Sequence, residues 1–255
     1  MTLLATRNLR VDIGGKRIGG DLDLVVEPGQ CWAVLGANGS GKTTLLHTLA
    51  GLRAPAMGSI ELDGKPLAAW ARRDIARRIG ILLQESDDPF PATVLETALI
   101  GRHPHLGPWQ WEGPEDHALA REALAEVELA EFEHRGVDTL SGGERRRLAL
   151  ATLRVQDPRV GLLDEPTNHL DLHHQIRLLG QLRERAQSQQ GALVMALHDI
   201  NLAARFCDHA LLIFADGEIL HGHASELLRA DYLTCLYHHP IEEVATNGQR
   251  AFLPT

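Results

Sequence analysis

A chain of 255 residues, 44% hydrophobic and 23% charged, has the size of one large domain or two small lobes and the composition of a globular protein. Its formal net charge of −9 argues against general nucleic-acid binding, which leaves a basic footprint. No apolar run approaches the ~18 residues a membrane span needs. The cysteines Cys31, Cys207 and Cys235 form no C-x-x-C pair and read as small core residues of a reducing compartment. The start, MTLLATRNLRV, lacks the apolar core and cleavage site of a signal peptide. A soluble chain is expected, held at a membrane only through another chain.

In chain order, NLRVDI, GGKRIGG and DLDLVV are short strand-like runs, and the alternation over 21–25 suits a half-exposed antiparallel strand. Cys31–Leu35 is a continuous apolar run, fit for a buried parallel strand. GANGSG follows it, and a helical pattern starts at Lys42-Thr43-Thr44. GSIELDGKPL (58–67) predicts a hairpin turning at Asp63-Gly64. Residues 92–135 change to Ala, Leu, Glu and His at helical spacing and read as a helical insertion. Beyond it come a strand at 160–164, a helix over roughly 171–187, a strand at 192–197, a helix near 200–206 and a hairpin turning at Asp216-Gly217. Strands alternating with helices imply an α/β fold with a mostly parallel sheet. The last thirty residues read as a helix and a short strand.

Gly36-Ala37-Asn38-Gly39-Ser40-Gly41-Lys42-Thr43 fits G-x-x-x-x-G-K-[ST], with a strand before it and a helix after. Its glycines let backbone N–H groups turn inward around phosphate oxygens, and the helix start adds positive character. Lys42 supplies a charge for the β- and γ-phosphates, and Thr43 a hydroxyl for Mg²⁺; Thr44 completes the loop. The apolar strand VGLLDE ends in Asp164, suited to hold Mg²⁺ through its water shell, and Glu165, placed to orient or deprotonate water. A second candidate anion site, LSGGERRRLAL (140–150), starts with an S-x-x-E capping box, Ser141 and Glu144.

Together these motifs resemble the ATP-binding cassette (ABC) family over nearly the whole chain and in family order. Gln84 matches the family's glutamine at the junction of core and helical lobe, Asn168-His169-Leu170-Asp171 the loop that crosses between two ATP sites, and His198 the switch histidine. The resemblance implies a P-loop NTPase core with an N-terminal antiparallel β subdomain and an inserted helical subdomain. Its parts would be 1–91 and 155–222 for the core, 92–154 for the helical subdomain and 223–255 for a C-terminal extension. It implies ATP and Mg²⁺ as cofactors, with Thr43, Gln84 and Asp164 at the metal. It also implies a head-to-tail homodimer in which Ser141, Gly142, Gly143, Glu144 and Asp171 reach the nucleotide held by the other copy. Glu165, His198, Gln84 and Lys42 are the implied catalytic set.

LIGRHPHLG (99–107), LDLHHQ (170–175) and LHDINLAARFCD (197–208) are similar to the ATPase subunits of importers for ferric siderophores, haem and cobalamin. That likeness implies a separate membrane permease docked near residues 85–109, a periplasmic binding protein acting indirectly, no nucleic-acid partner, and a place on the cytoplasmic face of the plasma membrane. The alternatives are the ATPase of another transporter class or exporter, or a soluble cassette protein; a P-loop kinase is opposed by LSGGE and the motif order. Ile13 stands where many cassettes stack adenine on an aromatic residue, which predicts looser nucleotide affinity or weaker base selectivity unless Trp32 or a neighbour compensates. The pairs His103/His105, His173/His174, His221/His223 and His238/His239 lack consistent ligand spacing and read as solvated or capping residues.

Overall fold

The computed structural model describes residues 2–13, 16–83, 91–246 and 249–255, with the backbone alone at 13, 16–21, 246 and 249. The chain opens with β1 (Leu4–Ile13), β2 (Lys16–Leu22) and β3 (Val25–Val26). Leu22, Leu24 and Val26 are buried while Asp23 and Val25 are exposed, the alternation of a half-covered antiparallel surface. Strand β4 (Cys31–Gly36) is buried at every position, and α1 (Lys42–Leu49) follows. Next come β5 (Met57–Leu62) and β6 (Lys65–Pro66). They join at Asp63 and Gly64, both at positive φ (49° and 73°), as a two-residue hairpin of matching twist requires.

Two elements escaped the sequence reading: the short helix α2 (Arg72–Ala76) and β7 (Ile79–Leu82). The helical segment then supplies α3 (Val94–Leu99), α4 (Pro114–Glu126) and α5 (Gly142–Gln156). Strand β8 (Val160–Asp164), α6 (Leu172–Ser188), β9 (Ala192–Ala196), α7 (Ile200–Phe206), β10 (His209–Ile213) and β11 (Ile219–His223) lie within a residue or so of expectation. The C-terminus departs from it. After α8 (Ala224–Leu227) and α9 (Ala230–Tyr237), two six-residue strands, β12 (Ile241–Thr246) and β13 (Gln249–Pro254), form a hairpin in place of one short strand. Only pairing with β12 makes Gln249–Pro254 a strand.

The central sheet runs β11-β10-β4-β9-β8-β7, parallel except for the edge strand β11. One face packs with α1 and the N-terminal antiparallel sheet: Leu45, Leu46 and Leu49 of α1 share a buried cluster with Leu4, Val26 and Leu62. The other face is covered by α6, α7 and the C-terminal helices, with Leu179, Phe206, Leu233 and Phe252 in its core. A third cluster, from Val94 to Val155, lies within the helical segment. Helix α5 serves two of these: Leu150 and Leu153 face the sheet-side core, while Leu148, Ala151 and Val155 face the helical one. Cys31 and Cys207 are buried as expected, whereas Cys235 is exposed. No described helix is long and apolar enough to cross a membrane.

Candidate nucleotide site

Strand order assembles the site. β9 lies between β4 and β8, and its Ala196 stands in register with Val34 on one side and Asp164 on the other. The carboxyl ends of three adjacent parallel strands therefore carry the phosphate loop, His198 and the Asp164-Glu165 pair side by side. That edge is where open α/β sheets bind ligands.

The loop from Gly36 to Gly41 departs β4 and enters α1 with Gly41, in the left-handed region (φ 105°), at its N-cap. Gly39 is also left-handed, at φ 75°. A Cβ on Gly36 would stand 2.6 Å from Ser40 Oγ and 2.8 Å from the Ile213 carbonyl oxygen, so only glycine lets the loop close over the neighbouring strand. Ala37 and Asn38 complete the turn, and Thr43 and Thr44 open α1 beside Lys42. Lys42 is 6% exposed. Its ammonium donates to the carbonyls of Gly36 at 2.8 Å and Ala37 at 3.2 Å. Burial lowers its pKa, and the charges of Glu165 and Asp164 oppose that shift.

Asp164 is 1% exposed, and neither carboxylate oxygen has a hydrogen-bond partner among the described residues. Ser40 Oγ is buried in the same condition. A buried carboxylate without a partner is costly unless a cation or water satisfies it. The buried Asp164 carboxylate therefore fits Mg²⁺, which favours carboxylate, hydroxyl and water ligands.

Glu165, one residue on, is buried in the left-handed region at φ 51°. Its carboxylate is held by His198 Nε2 at 2.5 Å and by the Asn168 amide. The sequence resemblance places Asn168 only in the crossing loop. Its place three residues after Glu165, in the turn closed by the Asn168 N–H to the Glu165 carbonyl at 3.1 Å, is the local signal that marks it. Tyr237 had no such signal: α9 packs it against the sheet-side core, where its hydroxyl is buried and has no hydrogen-bond partner among the described residues. Burial pushes its phenol up to about 12.

The second glycine motif starts α5. Ser141 Oγ accepts from the Glu144 N–H at 3.3 Å, and the Ser141 N–H donates to Glu144 Oε2 at 2.7 Å; the capping box is formed. Gly142 and Gly143 pack against His169: a Cβ on Gly143 would sit 2.9 Å from the His169 carbonyl oxygen. Asp171 caps α6, accepting from the His174 N–H and from His174 Nδ1, both at 2.9 Å. His174 Nε2 in turn lies 3.4 Å from Glu128, which also pairs with Arg177. The loop after α4 is thus tied to the start of α6.

Gln84 and residues 85–90 of the expected docking segment lie outside the described residues. Ile13 ends β1, but its side chain is likewise outside them. Trp32 does not supply a replacement for a stacking aromatic. It is 4% exposed and stacked on His209 at 4.5 Å, at the opposite end of β4 from the phosphate loop. Of the histidine pairs, His105 bonds the Gln156 carbonyl at 2.8 Å, His103 faces Glu112 at 3.7 Å, and His223 packs on His209 at 4.6 Å. His238 ends α9 in the left-handed region, with His239 following it. His173 contacts His174 edge-on, and burial lowers the pKa of His221.

A phosphate loop at one strand tip and an acidic pair two strands away, on a mostly parallel sheet, define the P-loop NTPase architecture. Residues 20–168 match the family described as ABC transporter, and the chain belongs to that family. It is 42% identical over 224 residues to a hemin import ATP-binding protein of Myxococcus xanthus, spanning 85% of this chain and 82% of that one. It is 40% identical over 219 residues to a cobalamin import ATP-binding protein of Halobacterium salinarum. That match covers 86% of this chain but only 54% of the relative, so the chain spans about half the length of the halobacterial protein. Among solved structures, an inward-facing transporter assigned to the metal-chelate type superposes with a TM-score of 0.86 at 29% identity, over 100% of this chain and 98% of the other. A dimeric bacterial ABC transporter cassette gives 0.75 at 25% identity, over 87% and 99%.

Proposed function

We propose that this chain is the ATP-hydrolysing subunit of an ABC importer that takes up a metal chelate (a ferric siderophore, haem or cobalamin) through a separate permease. Two copies would close head to tail over two nucleotides, each α5 N-terminus facing the γ-phosphate on the other copy's phosphate loop. In this reading the core with its β subdomain (1–91 and 155–222), the helical part (92–154) and the C-terminal extension (223–255) act as one nucleotide-binding domain. The observation that carries it is the Glu165 carboxylate, held by His198 at 2.5 Å next to the unpartnered Asp164. The hemin, cobalamin and metal-chelate relatives support the cargo class.

Lys42 and the loop N–H groups bind the β- and γ-phosphates. When bound, Mg²⁺ neutralises charge on those phosphates; Asp164, Thr43 and Gln84 are the residues to hold it. Glu165 orients a water for in-line attack on the γ-phosphorus and accepts its proton as the bond to ADP breaks. His198 keeps the carboxylate in place and bonds the γ-phosphate. Ser141, Gly142, Gly143, Glu144 and Asp171 complete the site from the second copy. Moving such a pair from mostly open to mostly closed takes about 5.5 kcal/mol of differential binding, within reach of two phosphates each making several charge-assisted hydrogen bonds. Loss of phosphate reopens the dimer. The permease would dock along 85–109, which exposes Ile100 and Trp109, and would hold the chain at the cytoplasmic face of the membrane beneath a periplasmic binding protein.

The test is Glu165→Gln. With Mg-ATP it should bind nucleotide, accumulate as a dimer by light scattering, and hydrolyse about 10²–10⁴-fold more slowly, the usual cost of losing a general base. Turnover equal to that of the unaltered chain removes Glu165 from the reaction. Transfer of phosphate to an acceptor, with no free phosphate released, makes the protein a kinase instead.

A further inference from the structure

The signature helix α5 carries an arginine that the site described above does not use. Arg146 is 7% exposed. Its guanidinium spans the turn after β8: Nη2 donates to the carbonyls of Asp164 and of Glu165 (2.6 Å to the latter), and Nε reaches the Pro166 carbonyl at 3.4 Å. Nη1 donates to the Leu83 carbonyl at 2.6 Å, just past the end of β7. One side chain therefore fastens three segments: the start of α5, the tip of β8 and the end of β7.

We propose that Arg146 is a positioning residue for hydrolysis, setting where the Glu165 carboxylate stands by gripping the backbone on both sides of it and coupling that backbone to the signature helix. This rests on the reading of Glu165 as the residue that orients the attacking water.

Three physical points carry it. Glu165 sits at φ 51°, a region that is unfavourable for a non-glycine residue and persists only when its surroundings over-determine it. The carbonyl grip on residues 164, 165 and 166 is such a constraint. Second, the planar guanidinium fork presents donors in fixed directions, and a lysine ammonium cannot reproduce that pattern. Third, Arg146 bonds carbonyl oxygens and forms no ion pair among the described residues, so it holds the backbone of residues 164 to 166 without engaging the carboxylates. Burial lowers its pKa to about 10, with Asp164 and Glu165 acting in the opposite sense, so it remains charged at neutral pH. A shift of α5, whose N-terminus would face the other copy's nucleotide, is then transmitted to Glu165 through one rigid strut.

The experiment measures Mg-ATP hydrolysis by the full chain and by Arg146→Lys and Arg146→Ala. The rate is expressed per bound nucleotide, so that loss of folded protein does not register as loss of rate. Arg146→Lys keeps the charge and loses the fork. It should lower kcat per bound nucleotide by about 10- to 100-fold, the scale of a misplaced catalytic group, while KM for ATP changes by less than about threefold. Arg146→Ala should lose at least as much and regain activity with millimolar guanidinium chloride but not with equal sodium chloride. If the alanine variant does not fold, the lysine variant decides alone. A kcat per bound nucleotide within about twofold of the unaltered chain, or an alanine defect that guanidinium leaves unchanged, overturns the inference. No hydrolysis by the unaltered chain would instead sink the ATPase reading beneath it.

Discussion

At the residue scale, small side chains matter for what they leave room for. Gly143 lies where a methyl group would meet the His169 carbonyl at 2.9 Å, and His169 is itself left-handed at φ 62°. Gly143→Ala adds helix propensity worth at most ~1 kcal/mol, whereas displacing a packed backbone costs about 1–3 kcal/mol. The clash should win: Tm falls, and the variant combined with Glu165→Gln dimerises more weakly with Mg-ATP while each copy still binds nucleotide. A Tm at or above that of the parent would show that the His169 backbone yields freely. Residues of this kind were legible in the sequence because glycine, lysine and paired carboxylates at fixed spacing have few other uses. Asn168 and Arg146 were not, because their partners are backbone or carboxylate groups that only the turn after β8 brings within reach.

At the element scale, four helix starts depend on carboxylates. Glu96, Asp116, Glu144 and Asp171 each accept a backbone N–H at or near an N-cap, and those bonds are the first cause of their lowered pKa values; the ordinary values are 4.5 for Glu and 3.8 for Asp. A carboxyl whose folded pKa is depressed binds fewer protons folded than unfolded. Its contribution is thus full above the ordinary value and is lost as pH falls below it, through the folded value. Thermal melts should show Tm dropping in that acid window, and Glu96→Gln together with Glu144→Gln should flatten the drop. An unchanged slope would assign acid sensitivity to other groups. The capping boxes at Thr93/Glu96 and Ser141/Glu144 follow from local spacing. The double duty of α5 does not: its two apolar faces bury against different cores, and periodicity alone cannot say which core takes which face.

At the scale of the whole molecule, the C-terminal hairpin is tied to the core through α7, α8 and α9: Arg250 donates to the carbonyls of Ser225 and Leu228, and the Ile241 N–H donates to Thr234 Oγ1. Asn201 of α7 bonds both backbone groups of Phe252, accepting its N–H at 2.7 Å and donating to its carbonyl at 3.2 Å, and the Phe252 ring is 3% exposed in the sheet-side core. Phe252→Ala should cost about 3–5 kcal/mol in chemical denaturation, as for other buried aromatic truncations. A cost below about 1 kcal/mol would mean that the hairpin contributes nothing to that core. The sequence by itself determined the phosphate loop, the acidic strand tip, the capped second glycine motif and the alternation of strands and helices, because each is encoded in contiguous residues whose chemistry admits few other readings. Only the tertiary structure decided that β9 lies between β4 and β8, that Trp32 is buried against His209 at the opposite end of β4 from the phosphate loop, that the last residues pair as a hairpin, and that Arg146 joins three segments. Each of those depends on contacts between residues far apart in the chain, and such contacts leave no periodic or local trace for a sequence to carry.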